Sequence, residues 1–139
     1  MQVHGSCAAR DGAGVLLIGP SGSGKSDLLL RLLDRGYMLV ADDRVDIVDG
    51  VACAPSALAG LLEVRGLGIF RLPHVACARI ALAVDLGSTP ERLPLPGWYS
   101  PGVPLIALDA TATSAPQRLN LALDCALGRT HQVVGAFAT

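Results

Sequence analysis

Gly19-Pro20-Ser21-Gly22-Ser23-Gly24-Lys25-Ser26, set between Val15-Leu16-Leu17-Ile18 and Asp27-Leu28-Leu29-Leu30-Arg31-Leu32-Leu33, decides how this chain is read. The stretch fits G-x-x-x-x-G-K-[ST] in the context that pattern requires: strand, glycine turn, helix. Glycines let successive backbone N–H groups curl around an oxygen anion, and a helix opening near Lys25 adds its positive end. The Lys25 ammonium reaches terminal phosphates, and the Ser26 hydroxyl suits Mg²⁺. The spacing therefore predicts a nucleoside triphosphate site formed by Gly19, Pro20, Ser21, Gly22, Ser23, Gly24, Lys25 and Ser26.

Working outward, residues 2–9 read as a strand carrying His4, and Asp11-Gly12 as a hairpin turn into the strand at 14–18. A helix is expected over 25–35, with apolar positions 28, 29, 32 and 33 on one face and Gly36 as its stop. Tyr37-Met38-Leu39-Val40-Ala41 is a continuous apolar strand ending in Asp42-Asp43, and the short connections imply a parallel crossover. A hairpin turning at Asp49-Gly50 follows, then a loop or short helical turn over 55–60. In the apolar stretch 61–70, Gly66 and Gly68 suggest backbone pressed close to a ligand or another strand. Residues 75–86 form a long strand, the proline-rich 87–104 a loop, 105–108 a last strand and 116–127 a helix between Pro116 and Gly128.

At 139 residues there is room for one domain. The composition is 51% hydrophobic, yet no apolar run approaches the roughly 20 residues that span a bilayer. Eleven basic residues against twelve acidic leave a net charge of −1, so no electrostatic footprint for nucleic acid or an anionic membrane exists. The opening Met1-Gln2-Val3-His4-Gly5 lacks a signal-peptide pattern, which predicts a cytoplasmic protein. Cys7, Cys53, Cys77 and Cys125 have no C-x-x-C spacing, so four free thiols in a reducing compartment are expected.

Phosphoryl transfer needs a metal, a cation against developing charge, and a group that orients or deprotonates the acceptor. Asp42 and Asp43 end the strand that follows the helix, at the carboxyl edge where open α/β sheets bind ligands. Adjacent strand side chains point to opposite sides, so one acid would act as base or acceptor-orienter and the other would help hold Mg²⁺ through water. Spacing alone leaves open which does which. Glu63 and Arg65 would share a strand face, either as a hard oxygen ligand for Mg²⁺ or as an ordinary ion pair. His4 is a proton shuttle or a structural histidine, and Arg92 a loop arginine that folds over phosphates or is merely solvated.

These residues together resemble a known family. His4-Gly5, Gly19 to Ser26, Arg35-Gly36, Leu39 to Asp43, Ala54-Pro55 and Glu63-Val64-Arg65-Gly66-Leu67-Gly68-Ile69 look like the catalytic domain of bacterial HPr kinase/phosphorylase. The resemblance is dense over 4–70 and thinner beyond. It implies an α/β fold: a single P-loop domain of the phosphoenolpyruvate-carboxykinase-like type, with a mixed β-sheet and few helices. It also implies ATP and Mg²⁺ as cofactors and the phosphocarrier HPr as the serine acceptor, with release of the phosphate by phosphorolysis in many members.

Position by position, the resemblance implies His4, Lys25, Asp42, Asp43 and Arg92 as catalytic residues, with Asp43 as base, and Ser26 with Glu63 on Mg²⁺. It also carries three departures. The expected domain runs over 1–139 with no amino-terminal domain, as in a short alphaproteobacterial form. Ser114-Ala115-Pro116-Gln117-Arg118-Leu119 stands where longer members carry a segment linked to dephosphorylation. The chain stops at Thr139, before the family's full carboxy-terminal helix, so a homo-oligomer is allowed but not specified. A small-molecule kinase is the nearest rival, disfavoured because only 87–104 would serve as a lid or acceptor insertion. A nucleotide-dependent regulatory module without phosphotransfer is the rival from another class.

Overall fold

Asp11 and Gly12 adopt φ of 51° and 82°, the pair of left-handed residues that a two-residue hairpin requires. They join β1 (Gln2–Arg10) to β2 (Ala13–Ile18). The computed structural model describes residues 1–138; Thr139, the last residue of the domain expected over 1–139, lies outside them. The loop after β2 opens α1 (Lys25–Leu33), which buries Leu28, Leu29 and Leu32 and ends two residues earlier than its pattern suggests, with Asp34 as cap. Truncating one of those leucines to alanine would cost about 2–5 kcal/mol. Next, β3 (Met38–Ala41) pairs antiparallel with β1, so it runs parallel to β2 with β1 between them. That is the anticipated parallel crossover.

A second left-handed pair, Asp49 and Gly50, joins β4 (Arg44–Val48) to β5 (Val51–Cys53). A 3-10 turn at Ser56–Leu58 leads to a separate hairpin, β6 (Leu61–Val64) and β7 (Gly68–Arg71). The long strand β8 (Cys77–Asp85) lies parallel to β2, with Ile18 opposite Asp85. One edge of β8 then takes β5 antiparallel over Cys77–Arg79 and β10 (Val103–Ala107) parallel over Ala83–Asp85. Because β4 also pairs with β1, the strands β2, β1, β4, β5 and β8 close into a ring.

The ring explains the continuous apolar runs. Leu16, Val40, Ala52, Ile80 and Ala83 fill the face inside it. Val15, Leu17, Leu82 and Val84 meet α1 and α2 (Ala115–Ala126) on the other. Strands buried on both faces lose the alternation of a half-exposed sheet.

Three expectations are corrected. Residues 87–104 are not all loop: β9 (Trp98–Ser100) and the start of β10 lie within them, around a turn at Pro101-Gly102. The prolines conceal it, but Pro96 and Pro101 flank β9 without entering it, and Pro104 falls at the register shift where β10 pairs with β9, an irregularity that tolerates a missing donor. No protein atom crowds Gly66 or Gly68, since none lies within 4 Å of a Cβ added at either, so close approach to another strand is not what requires them. Their φ values of 87° and 133° show that the tight turn of the β6–β7 hairpin is what demands them.

The third correction concerns the cysteines. Only Cys7 and Cys125 are free, and Cys53 and Cys77 form a disulfide. They face each other across β5 and β8 with Cα atoms 4.2 Å apart, the close spacing of a non-hydrogen-bonded antiparallel pair. A separation of 24 residues hid a contact that only the sheet creates. The bond closes the base of the excursion over 54–76, which carries the whole β6–β7 hairpin. Closing a loop of this length stabilises by about 3 kcal/mol in the chain-entropy account.

Reduction with dithiothreitol should therefore lower the urea midpoint and speed tryptic cleavage after Arg65 or Arg71. Burial pushes the Cys7 thiol up to about 12, so iodoacetamide at pH 8 should label Cys53 and Cys77 in the reduced native chain well before Cys7. Equal cleavage rates and equal midpoints with and without reductant would show that the bond does not hold the excursion.

Candidate active site

Backbone geometry shapes the loop after β2. Gly19 has φ 147° and Gly24 φ 94°, and added Cβ atoms would come within 2.7 Å of Ser23 Oγ and 2.8 Å of the Ala110 Cβ. Both positions thus exclude a side chain by conformation and by space. Ser23 N–H donates to the Pro20 carbonyl at 3.1 Å, and Leu28 N–H to the Gly24 carbonyl at 2.9 Å as the first helical bond. The Ala110 side of this packing is held from α1. Arg31 pairs with Asp27 one turn earlier at 3.1 Å and donates to the carbonyls of Ala110 and Ala112.

Lys25 is 7% exposed, and its Nζ donates to the Gly19 carbonyl at 2.7 Å and the Pro20 carbonyl at 2.9 Å. A buried ammonium needs such partners. They fix the charge against the loop, at the positive end of α1. Ser23 Oγ is buried without a hydrogen-bond partner, an orphaned donor inside the loop.

The two adjacent acids take different partners, but a turn rather than strand alternation separates them. β3 ends at Ala41, Arg44 N–H donates to the Asp42 carbonyl at 2.8 Å, and Asp43 between them has φ 70°. This three-residue γ-turn is a strained conformation for a residue other than glycine. Asp43 Oδ1 pairs with His4 Nε2 at 2.8 Å, the two side chains being 66% and 51% exposed. Asp42 Oδ1 accepts from Ser26 Oγ at 2.8 Å and from Ser6 Oγ at 2.9 Å.

One cleft of about 780 Å³ gathers His4, Ser21, Gly22, Gly24, Lys25, Ser26, Asp42, Asp43, Glu63 and Arg65. Glu63 comes from β6 and Arg65 from the turn that follows, so the hairpin forms the wall opposite the loop. Gly19, Pro20 and Ser23 belong to the loop but not to the lining, and Arg92 is exposed on the connection after β8, also outside it. Sequence reasoning missed Ser6, whose one signal was a lone hydroxyl at the head of the apolar run Cys7-Ala8-Ala9.

The oxygen donors facing the cleft are the Ser21 and Ser26 hydroxyls and several carboxylates, hard oxygens of the kind Mg²⁺ accepts. No group of three or more His, Cys, Asp or Glu able to hold a metal occurs among the described residues. Mg²⁺ takes one or two protein oxygens beside phosphates and water. The glycine cradle and the anchored ammonium fit the phosphates of a nucleotide.

The HPr kinase/phosphorylase of Clostridium tetani is 46% identical over 78 residues, covering 53% of this chain and 26% of that protein. Its counterpart from Lacticaseibacillus casei is 49% identical over 73 residues, covering 49% of this chain and 23% of that protein. The chain thus spans about a quarter of the length of these curated relatives. The structure of the Hpr(Ser) kinase/phosphatase from Coxiella burnetii superposes with a TM-score of 0.70 at 25% identity, covering 87% of each chain. The family model of the HPr Serine kinase C-terminal domain matches residues 1–80, which hold the loop, both acids, His4 and Glu63. The chain belongs to the HPr Serine kinase C-terminal domain family.

Proposed function

We propose that this chain is an ATP- and Mg²⁺-dependent protein-serine kinase that phosphorylates the phosphocarrier HPr, with reversal by phosphorolysis left to the test below because residues 114–119 depart from the segment linked to it. The observation that carries the reading is the convergence of the anchored Lys25, the Ser26–Asp42 and His4–Asp43 pairs and Glu63 in one cleft. The names of the relatives point to the acceptor. Exposed apolar side chains at the mouth, Leu30, Leu58 and Ile69, suit a protein surface better than a small metabolite.

In this reading the loop amides and Lys25 hold the phosphates of ATP in a P-loop of the phosphoenolpyruvate-carboxykinase-like type. Ser26 and Glu63 would hold Mg²⁺, which neutralises charge on the phosphates when bound. Asp43 accepts the proton of the acceptor serine, with His4 fixing the orientation of its carboxylate, and returns it in the reverse direction. Asp42 accepts a hydrogen bond from the Ser26 hydroxyl. Arg92 is assigned to the developing charge on its resemblance to the family's arginine alone. A cytoplasmic location and a single domain over 1–139 accompany the reading.

Incubation with γ-labelled ATP and purified HPr tests it. Label should appear on a serine of HPr, and Lys25→Ala should cut the rate by about a hundred- to a thousandfold. Label on a metabolite would support a small-molecule kinase, and binding without transfer a regulatory module. Release of pyrophosphate from phospho-HPr and inorganic phosphate would establish phosphorolysis.

The turn at Asp43 yields a prediction independent of activity. Asp43→Gly relieves a left-handed residue, whereas Asp43→Ala keeps the strain, so the glycine variant should be more stable than the alanine variant by about 1–2 kcal/mol. Both should lose phosphotransfer. Equal urea midpoints for the two would mean the turn stores no strain.

A further inference from the structure

Apart from cysteines and Tyr37, only two polar or charged side chains are buried among the described residues: Lys25, and Ser6 at 0% exposure. Lys25 belongs to the phosphate loop. Ser6 has no part in the mechanism above, yet it lies on the strand that frames the cleft, opposite Leu17 of β2 and next to Cys7, whose partner on β3 is Ala41. A hydroxyl there is unfavourable unless it is hydrogen-bonded. Its bond goes to a carboxylate: Ser6 Oγ donates to Asp42 Oδ1 at 2.9 Å.

The same oxygen accepts from Ser26 Oγ at 2.8 Å. One carboxylate atom is thus gripped by two hydroxyls, one from β1 and one from α1. The two donors differ in what they leave free. Ser6 is fully enclosed and offers nothing to the cleft, whereas Ser26 is exposed and lines it. A hydroxyl that spends its single proton on Asp42 keeps its lone pairs for another partner. Asp42 can hold that proton in a constant direction only if its own carboxylate does not rotate.

We propose that Ser6 is a positioning residue of the cation site. By fixing Asp42 Oδ1, it directs the Ser26 proton away from the cleft and leaves the Ser26 oxygen free for a divalent cation. The proposal rests on the nucleotide site described above.

The test titrates Mg²⁺ against binding of a fluorescent ATP analogue, with no acceptor present, for the native chain, Ser6→Ala and Ser6→Thr, with melting temperatures in parallel. Ser6→Ala removes one oxygen from a strand position followed by Cys7-Ala8-Ala9, so the fold should persist. Its Mg²⁺ midpoint should rise about ten- to a hundredfold, as expected for one hydrogen bond to a charged group. Affinity without Mg²⁺ should stay the same, and Ser6→Thr, which keeps the hydroxyl, should restore the midpoint to within about twofold.

A native chain whose nucleotide binding ignores Mg²⁺ overturns the functional reading and this proposal together. Mg²⁺-dependent binding in the native chain with an identical midpoint in Ser6→Ala overturns this proposal alone. So does a loss of affinity equal at zero and saturating Mg²⁺. Should Ser6→Ala not fold, Ser6→Cys, with a far weaker donor of similar shape, carries the same expected midpoint shift, and an unshifted midpoint there counts equally against the proposal.

Discussion

Strand β1 pairs with β2 along one edge and with β3 and then β4 along the other, and the change of partner falls at Gly5 and Ser6. There the Gly5 amide donates to the Asp43 carbonyl at 3.1 Å, which seats the turn between β3 and β4 against the middle of β1. The cleft depends on that shared strand. His4 and Ser6, two residues apart on β1, meet Asp43 and Asp42 respectively, while β2 on the other edge delivers the loop that carries Ser26. Three segments distant in sequence are thereby brought together by backbone pairing, and the side-chain bonds set their final orientation.

The opposite wall is attached differently. The β6–β7 hairpin pairs only with itself and reaches the body through the buried Leu62, through Val75 N–H on the Leu39 carbonyl, and through the Cys53–Cys77 bond at its base. On the cleft side it sets Glu63 and Arg65 beside the apolar Leu61, Val64 and Ile69, and Leu67 and Ile69 are 76% and 70% exposed. A wall with few buried contacts is the part of a site most able to shift. The loop side, packed on α1, Ala110 and β2, is the part least able to.

Much of this was legible in the chain. The glycine spacing around Lys25, the leucine stripe of α1, the two Asp-Gly turns and the apolar runs of β2, β3 and β8 each carry a local physical reason, and each lies where it was expected. Helix periodicity, left-handed turns and anion-binding glycine loops are short-range properties, so a few neighbouring residues suffice to specify them. The proline-rich segment misled because proline speaks against a strand in general, yet here the prolines flank β9 or, at Pro104, sit at a break in the register between β10 and β9.

What the sequence by itself determined was therefore a phosphate loop between a strand and a helix, and a set of acids, a histidine and an arginine in suggestive order. The tertiary structure alone decided which of them meet. It set Asp42 and Asp43 on different partners through a γ-turn, enlisted Ser6, joined Cys53 to Cys77 and left Arg92 outside the cleft lining. The physical reason is that these contacts depend on strand register and on the closing of β2, β1, β4, β5 and β8 into a ring. Register is a property of paired strands, and no single segment carries it.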